Sequence, residues 1–396
     1  MTQSVPFFRP SIGQEEQDNI LSVLKNGWLT TGIWCKKFEQ AFAEYIGVKH
    51  CVAVNSATAA LHLSVIASGI RPGEAVLVPT MTFVSTVEVL YYHNIHPILV
   101  DCDPKDLTMS AQDARCKLLQ AREKGVRVTG VIPVHYAGKM VQMDWVESLV
   151  EEFDLKIIED AAHCCCSKYF SNRHKKWFKK CPTSLTQCYS FYCTKCITTG
   201  GEGGIVATDS DELANKIRSL SLHGLSTNAW ERFSEQGDAF YDITTLGYKY
   251  NLTDVAAAIG CAQLVKADHF TKHRIQAVAI YKKFLQGIPH ISCLQDEPEH
   301  FLHSYHLFVI KLNTMQTLVS RDQLIQQLKI KHIVTSVHWK PLHLHSFYQK
   351  QGYTASSFPE ATHAFNQIIS LPLFPDITEE QIYHVVNTLK KLLTGG

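Results

Sequence analysis

His50–Gly69, HCVAVNSATAALHLSVIASG, joins a short apolar run to a helical one through a few small polar residues. HCVAVNS (50–56) reads as a buried strand, because it is apolar throughout rather than alternating. Ala59–Ala67 reads as a helix packed directly behind it. The same alternation continues along the chain. VLVPT (76–80) predicts a strand, Val84–Tyr92 a helix and HPILVD (96–101) a strand. GVIPVHY (130–136) predicts a strand, Met143–Phe153 a helix and LKIIED (155–160) a strand. Short all-apolar strands separated by helices imply an α/β fold with a mostly parallel sheet covered on both faces.

Upstream, residues 15–26 (EEQDNILSVLKN) predict an amphipathic helix ending at Gly27, and residues 35–46 another. After about residue 250 the pattern changes. A long helix at 253–287, the apolar run HSYHLFVIKL (303–312), a helix at 321–329 and a last one at 378–393 suggest a smaller α+β domain. The expected division is 1–250 for a large domain and 251–396 for a small C-terminal one. No repeat, low-complexity tract or Gly/Ser linker separates them, which points to a tight interface.

Composition narrows the function. The 396 residues carry 38 Lys+Arg against 37 Asp+Glu, a formal charge of +1, which gives no footprint for nucleic acid. The one basic run, RHKKWFKK (173–180), reads as a solvated surface loop, with a phosphate contact as the sharper alternative. No segment nears the roughly 20 apolar residues of a membrane span, and the N-terminus lacks a signal-peptide profile. No membrane insertion and a cytoplasmic location are expected. The 13 cysteines include Cys164, Cys165 and Cys166 in a row, but adjacent residues diverge too much to close a tetrahedral site. Buried reduced thiols and no metal are the expectation.

In an open parallel sheet, ligands bind in loops beyond the carboxyl ends of strands. Three such loops stand out. Asn55-Ser56-Ala57-Thr58 opens a helix, where free N–H groups attract an anion, although Ser and Thr also serve as plain N-caps. Asp160-Ala161-Ala162-His163 ends a buried strand; Asp160 either caps the next helix or pairs with a protonated ring nitrogen. Ser190-Phe191-Tyr192-Cys193-Thr194-Lys195 precedes ITTGGEGG (197–204). There a lysine in apolar surroundings either loses basicity and becomes a Schiff-base nucleophile or simply reaches solvent past the loop, and the glycines permit close backbone approach to a ligand. An anion site, a strand-end Asp and a buried Lys are the three handles needed by pyridoxal 5'-phosphate (PLP), for its phosphate, ring nitrogen and aldehyde.

Ordered motifs over the whole length resemble the DegT/StrS family of sugar aminotransferases, of the fold type I PLP architecture. They are GWLTTG (27–32), NSATAALHL (55–63), PTMTFVST (79–86), PVHYAG (133–138), EDAAH (159–163), SFYCTK (190–195) and EGG (202–204). LHG (222–224), GYKYNLTD (247–254), SVHWKPLH (336–343) and SLPLFP (370–375) complete them. The resemblance implies that Lys195 forms the Schiff base and moves the proton. It implies Asp160 on the pyridine nitrogen, His163 near the ring hydroxyl and Phe83 stacked on the ring. Ser56, Ala57, Thr58 and Ser190 would line the phosphate.

It also implies a homodimer with shared active sites, in which Lys249 and Asn251 reach the partner's cofactor or substrate. Trp28, Thr30, Lys249 and His338 are the implied substrate contacts. The implied reaction moves an amino group, with glutamate as donor, to a nucleotide-linked keto-sugar for surface polysaccharide or lipopolysaccharide biosynthesis. Within the family, the motifs look most like those of members making UDP-4-amino-4-deoxy-L-arabinose for lipid A modification. Alternatives are a PLP-dependent sugar dehydratase, which carries histidine where Lys195 stands, and a non-catalytic PLP-binding sensor. Departures from the family are Cys196, Cys164–Cys166, a glycine run one residue longer, and a longer, more basic 171–187 segment.

Overall fold

The computed structural model describes residues 4–226, 241–317 and 319–394. In chain order it holds α1 (Gln14–Asn26), α2 (Ile33–Ile46), β1 (His50–Val54), α3 (Ala57–Ala67), β2 (Ala75–Pro79), α4 (Ser85–Tyr91) and β3 (His96–Val100). Then come α5 (Ala111–Glu123), β4 (Val128–Val131), α6 (Met143–Phe153), β5 (Lys156–Asp160), β6 (Lys168–Ser171), β7 (Lys176–Phe178), β8 (Thr186–Ser190) and β9 (Gly204–Thr208). The remainder is α7 (Asp211–Ser221), α8 (Asp254–Leu285), β10 (Ile291–Cys293), β11 (Phe301–Leu302), β12 (Phe308–Leu312) and α9 (Arg321–Ile330). Finally come α10 (Ser346–Lys350), α11 (Pro359–Phe365), β13 (Ile368–Leu371) and α12 (Glu379–Thr394).

A seven-stranded sheet runs in the order β1-β9-β8-β5-β4-β2-β3. Pairs β8/β5, β5/β4, β4/β2 and β2/β3 are parallel, while β9 is antiparallel to both β1 and β8. The expected α/β fold with a mostly parallel sheet is what forms. Every residue of β2, β8 and β9 is buried, which explains the unbroken apolar or small-residue pattern of β2 and β9. In the more polar β8, the buried Gln187 amide donates to Glu159 at 3.2 Å and to the Lys179 carbonyl at 3.0 Å. The C-terminal part adds a second sheet, β10-β12-β13. Val5 bridges to Ile333 and joins this second core, so the first described residues pack with the C-terminal layer.

Several boundaries shift for local reasons. The strand expected over 130–136 is regular only to Val131; Ile132 still donates to Leu77, Pro133 has no N–H to continue the ladder, and Val134 pairs with Asp160 as an isolated parallel bridge. The Pro133 carbonyl still accepts from the Asp160 amide at 2.9 Å, and the His135 amide donates to the Asp160 carbonyl at 3.0 Å. The run 303–312 is a strand only from Phe308, since Tyr305 turns the chain with φ of 46°.

The basic run is solvent-exposed over 173–177, as expected, but only 173–175 are turn; 176–178 are the second strand of the β6–β7 hairpin, which β11 extends into a three-stranded sheet. Arg173 is paired with Glu151, and Lys180 Nζ lies 3.2 Å from Asp209. Carboxylates therefore hold these two cations. Among the described residues all 13 cysteines are free thiols, Cys164, Cys165 and Cys166 being buried, and no helix is long and apolar enough to cross a membrane.

Candidate active site

Loops beyond the carboxyl ends of β1, β2, β5 and β8 converge on a cavity of about 530 Å³. Its wall includes Ser56, Ala57, Thr58, Phe83, Asp160, His163, Ser190, Lys195 and His338. Nine residues singled out in the sequence therefore meet in one space. The second layer closes it through His306, Ser336 and Trp339, and the N-terminal segment through Phe7 and Phe8.

The first wall is the start of α3. Ser56 Oγ accepts the Ala59 amide at 3.1 Å and caps the helix. Capping and anion binding are thus compatible, because the amides of Ala57 and Thr58 still belong to the unpaired first turn. The glycines contribute differently from what the sequence suggested. A Cβ on Gly204 would lie 2.4 Å from the carbonyl carbon and oxygen of Ser56. At Gly204 the missing side chain permits close approach of β9 to the helix start, whereas a Cβ on Gly203 would meet Thr199 and one on Gly201 open space.

The second wall is the end of β5. Asp160 is 4% exposed, and burial pushes its carboxyl upward. Thr86 Oγ1 donates to Oδ2 at 2.8 Å and the Ala162 amide to Oδ1 at 3.1 Å, both favouring the charged form. Thr82 and Thr86 hydroxyls are 2.7 Å apart, one turn of chain linking them to Phe83. Phe83 itself is 56% exposed, a ring with a free face. His163 is buried, packed 4.9 Å from Trp339 and 4.2 Å from His306. Its Nδ1 is buried without a partner among the described residues.

The third wall carries Lys195, which is half-buried; burial lowers its pKa from 10.5 to about 8, with Asp160 partly opposing the shift. His338 stacks on Phe7 at 5.5 Å and its Nδ1 meets Ser370 Oγ at 2.9 Å. The residues fit PLP: amides and a dipole for a phosphate, a buried carboxylate short of a cation, and an amine already low in basicity.

Four candidates lie elsewhere in the same chain. Asn251 bridges Val54 at the edge of β1, and its Nδ2 donates to Thr31 Oγ1 at 2.9 Å. Trp28 Nε1 donates to the Thr31 carbonyl at 2.9 Å, and Thr30 and Lys249 are exposed. Trp28 and Asn251 line a separate groove. Asp254 ties the two motifs together through the amides of Gly32 and Cys35, at 2.8 and 3.0 Å. Thr86, His306 and Trp339 were not singled out beforehand. Thr86 carried one signal, its i+4 spacing from Thr82; His306 was hidden in a run that reads as strand.

The profile of the DegT/DnrJ/EryC1/StrS aminotransferase family matches residues 10–390. The chain belongs to this family. It is 38% identical to the uncharacterized protein MJ1066 of Methanocaldococcus jannaschii, over 98% of both chains. It is 35% identical to the spore coat polysaccharide biosynthesis protein SpsC of Bacillus subtilis, over 99% of this chain and 98% of that one. The PLP form of the putative sugar aminotransferase Spr1654 from Streptococcus pneumoniae superimposes with a TM-score of 0.86 at 26% identity, covering 98% of each chain. As a DegT/StrS-type aminotransferase, the enzyme uses PLP.

Proposed function

We propose that this enzyme transfers an amino group from glutamate to the ketone of a nucleotide-linked sugar, as a cytoplasmic homodimer serving surface polysaccharide or lipid A-type modification. The observation that carries the reaction is one cavity holding the Lys195 amine, the Asp160 carboxylate and the α3 start. Spr1654 and SpsC, by their names a sugar aminotransferase and a polysaccharide biosynthesis protein, support a sugar acceptor.

Bound PLP supplies an aldehyde that carries the amino group and a ring that takes up electron density. Amides of Ala57 and Thr58, with Ser56 and Ser190, would hold its phosphate. Asp160 would keep a proton on the ring nitrogen, and Phe83 would stack on the ring. Lys195 Nζ is the acid–base that removes a proton from the amine-bearing carbon of the donor and returns it on the acceptor side. A pKa near 8 leaves part of that amine unprotonated near neutrality.

Asn251 and Lys249 of the partner subunit, with its Trp28 and Thr30, complete the site from the edge of β1, and His338 meets the sugar. Residues 1–250 form the PLP-binding domain and 251–396 the smaller one, α8 joining them.

Lys195→Ala should lose borohydride-trappable cofactor and at least about 10³-fold in turnover. Full turnover in the reconstituted variant would sink the assignment. The acceptor is tested by loading the enzyme with glutamate and offering UDP- and dTDP-linked 3-keto- and 4-keto-sugars. Amination of simple keto acids but of none of these sugars would overturn that part.

A further inference from the structure

His306 belongs to the cavity but has no part in the chemistry above. It sits where the chain turns at Tyr305, just before β12, and is 5% exposed. Arg274 Nη1 holds the turn by donating to the carbonyls of Tyr305 and His306 at 3.3 and 3.4 Å. The imidazole packs on His163, ring centroids 4.2 Å apart. Its position is thus set from the backbone and from one ring face.

Its protonation follows from its surroundings. Burial first, then the charges of Lys195, Arg274 and His338, push His306 well below the usual histidine range, so the ring is neutral. Nδ1 is buried and has no partner among the described residues. A buried N–H without an acceptor is costlier than an unfilled lone pair, so the proton belongs on Nε2. Nε2 is not among the buried unpartnered atoms, which leaves it as the ring nitrogen turned to the cavity. His306 is therefore a fixed, uncharged N–H donor that cannot switch to acceptor.

We infer that His306 is a specificity residue for the acceptor, its Nε2–H donating to an oxygen on the sugar ring. An uncharged donor suits a hydroxyl or carbonyl oxygen of a sugar; a carboxylate would be met better by a cation. This rests on the keto-sugar reading of the acceptor and adds the group that reads it.

The two half-reactions separate the roles. Glutamate and a keto-sugar from the UDP- and dTDP-linked panel are followed in single turnovers with wild type, His306→Gln, His306→Asn and His306→Phe. Gln can place an N–H near the position of Nε2, whereas Asn places it near Nδ1. The sugar half-reaction should lose about 10-fold in kcat/KM with Phe and Asn and recover with Gln, the glutamate half-reaction staying unchanged throughout. Calorimetric binding of the same sugar to protein stripped of cofactor should follow the same order. Equal slowing of both half-reactions, or no rescue by Gln, overturns the inference in favour of a packing role. If Phe does not fold, the Gln–Asn comparison alone decides. Wild type accepting none of the sugars sinks the acceptor reading and the inference together. Wild type accepting one while the variants stay indifferent sinks only the inference.

Discussion

Thr86 donates to Asp160 Oδ2 at 2.8 Å across 74 positions of sequence. A buried carboxylate with that bond removed keeps its desolvation cost and loses part of what offsets it. Thr86→Val should cost about 1.5–3 kcal/mol of support for the charged form, within the range for bonds to ions. The measurable result is PLP affinity lowered roughly 10-fold or more, with the fold intact by thermal melting.

Lys195 adds a pH signature. Its pKa is 10.5 when solvated and about 8 in place. Between those values the unfolded chain binds more protons, so this group's contribution to the stability of cofactor-free protein rises with pH across the window. It is fully present above about 10.5 and lost as pH falls through about 8. Melting curves of wild type and Lys195→Met should therefore diverge between about pH 8 and 10.5. Parallel curves would refute the depressed pKa.

At the scale of elements, the junction of β1, α3 and β9 decides the phosphate end. Ser56 caps α3, and Ser56→Ala should cost about 1 kcal/mol of stability, read by denaturant midpoint. Gly204→Ala should be worse, because its Cβ would meet the Ser56 backbone at 2.4 Å and neither strand nor helix start can yield cheaply. A measurable loss of PLP affinity should accompany the loss of stability. An Ala variant binding PLP normally would show that the helix start tolerates displacement.

At the scale of the whole molecule, the loops 27–32 and 247–254 pack together through Asp254 at the edge of β1, outside the cavity of their own chain. If they serve a second subunit, two inactive variants should complement. Lys195→Ala mixed with Asn251→Ala should regain about a quarter of wild-type activity after subunit exchange, since half the dimers then carry one intact site. No recovery despite proven exchange would place Asn251 in its own chain's chemistry.

What the amino-acid sequence determined by itself was local. Helix α6 runs from Met143 to Phe153 as its amphipathic pattern requires, and α1 stops at Gly27, which takes the left-handed conformation there. Apolar runs marked the buried strands β1, β2, β3 and β5, and small or polar groups at strand ends drew attention to Ser56, Asp160 and Lys195. Such signals reach only a few residues along the chain. Tertiary structure decided the rest. Strand β9 runs against its neighbours, a direction that no side-chain alternation records. Pro133 cut short a run that looked like strand, and a left-handed Tyr305 turned His306 into the cavity. Of the glycines after Lys195, Gly204 makes room for the backbone of Ser56. The lowered pKa of Lys195 and the Thr86–Asp160 bond exist only once distant segments have excluded water around them.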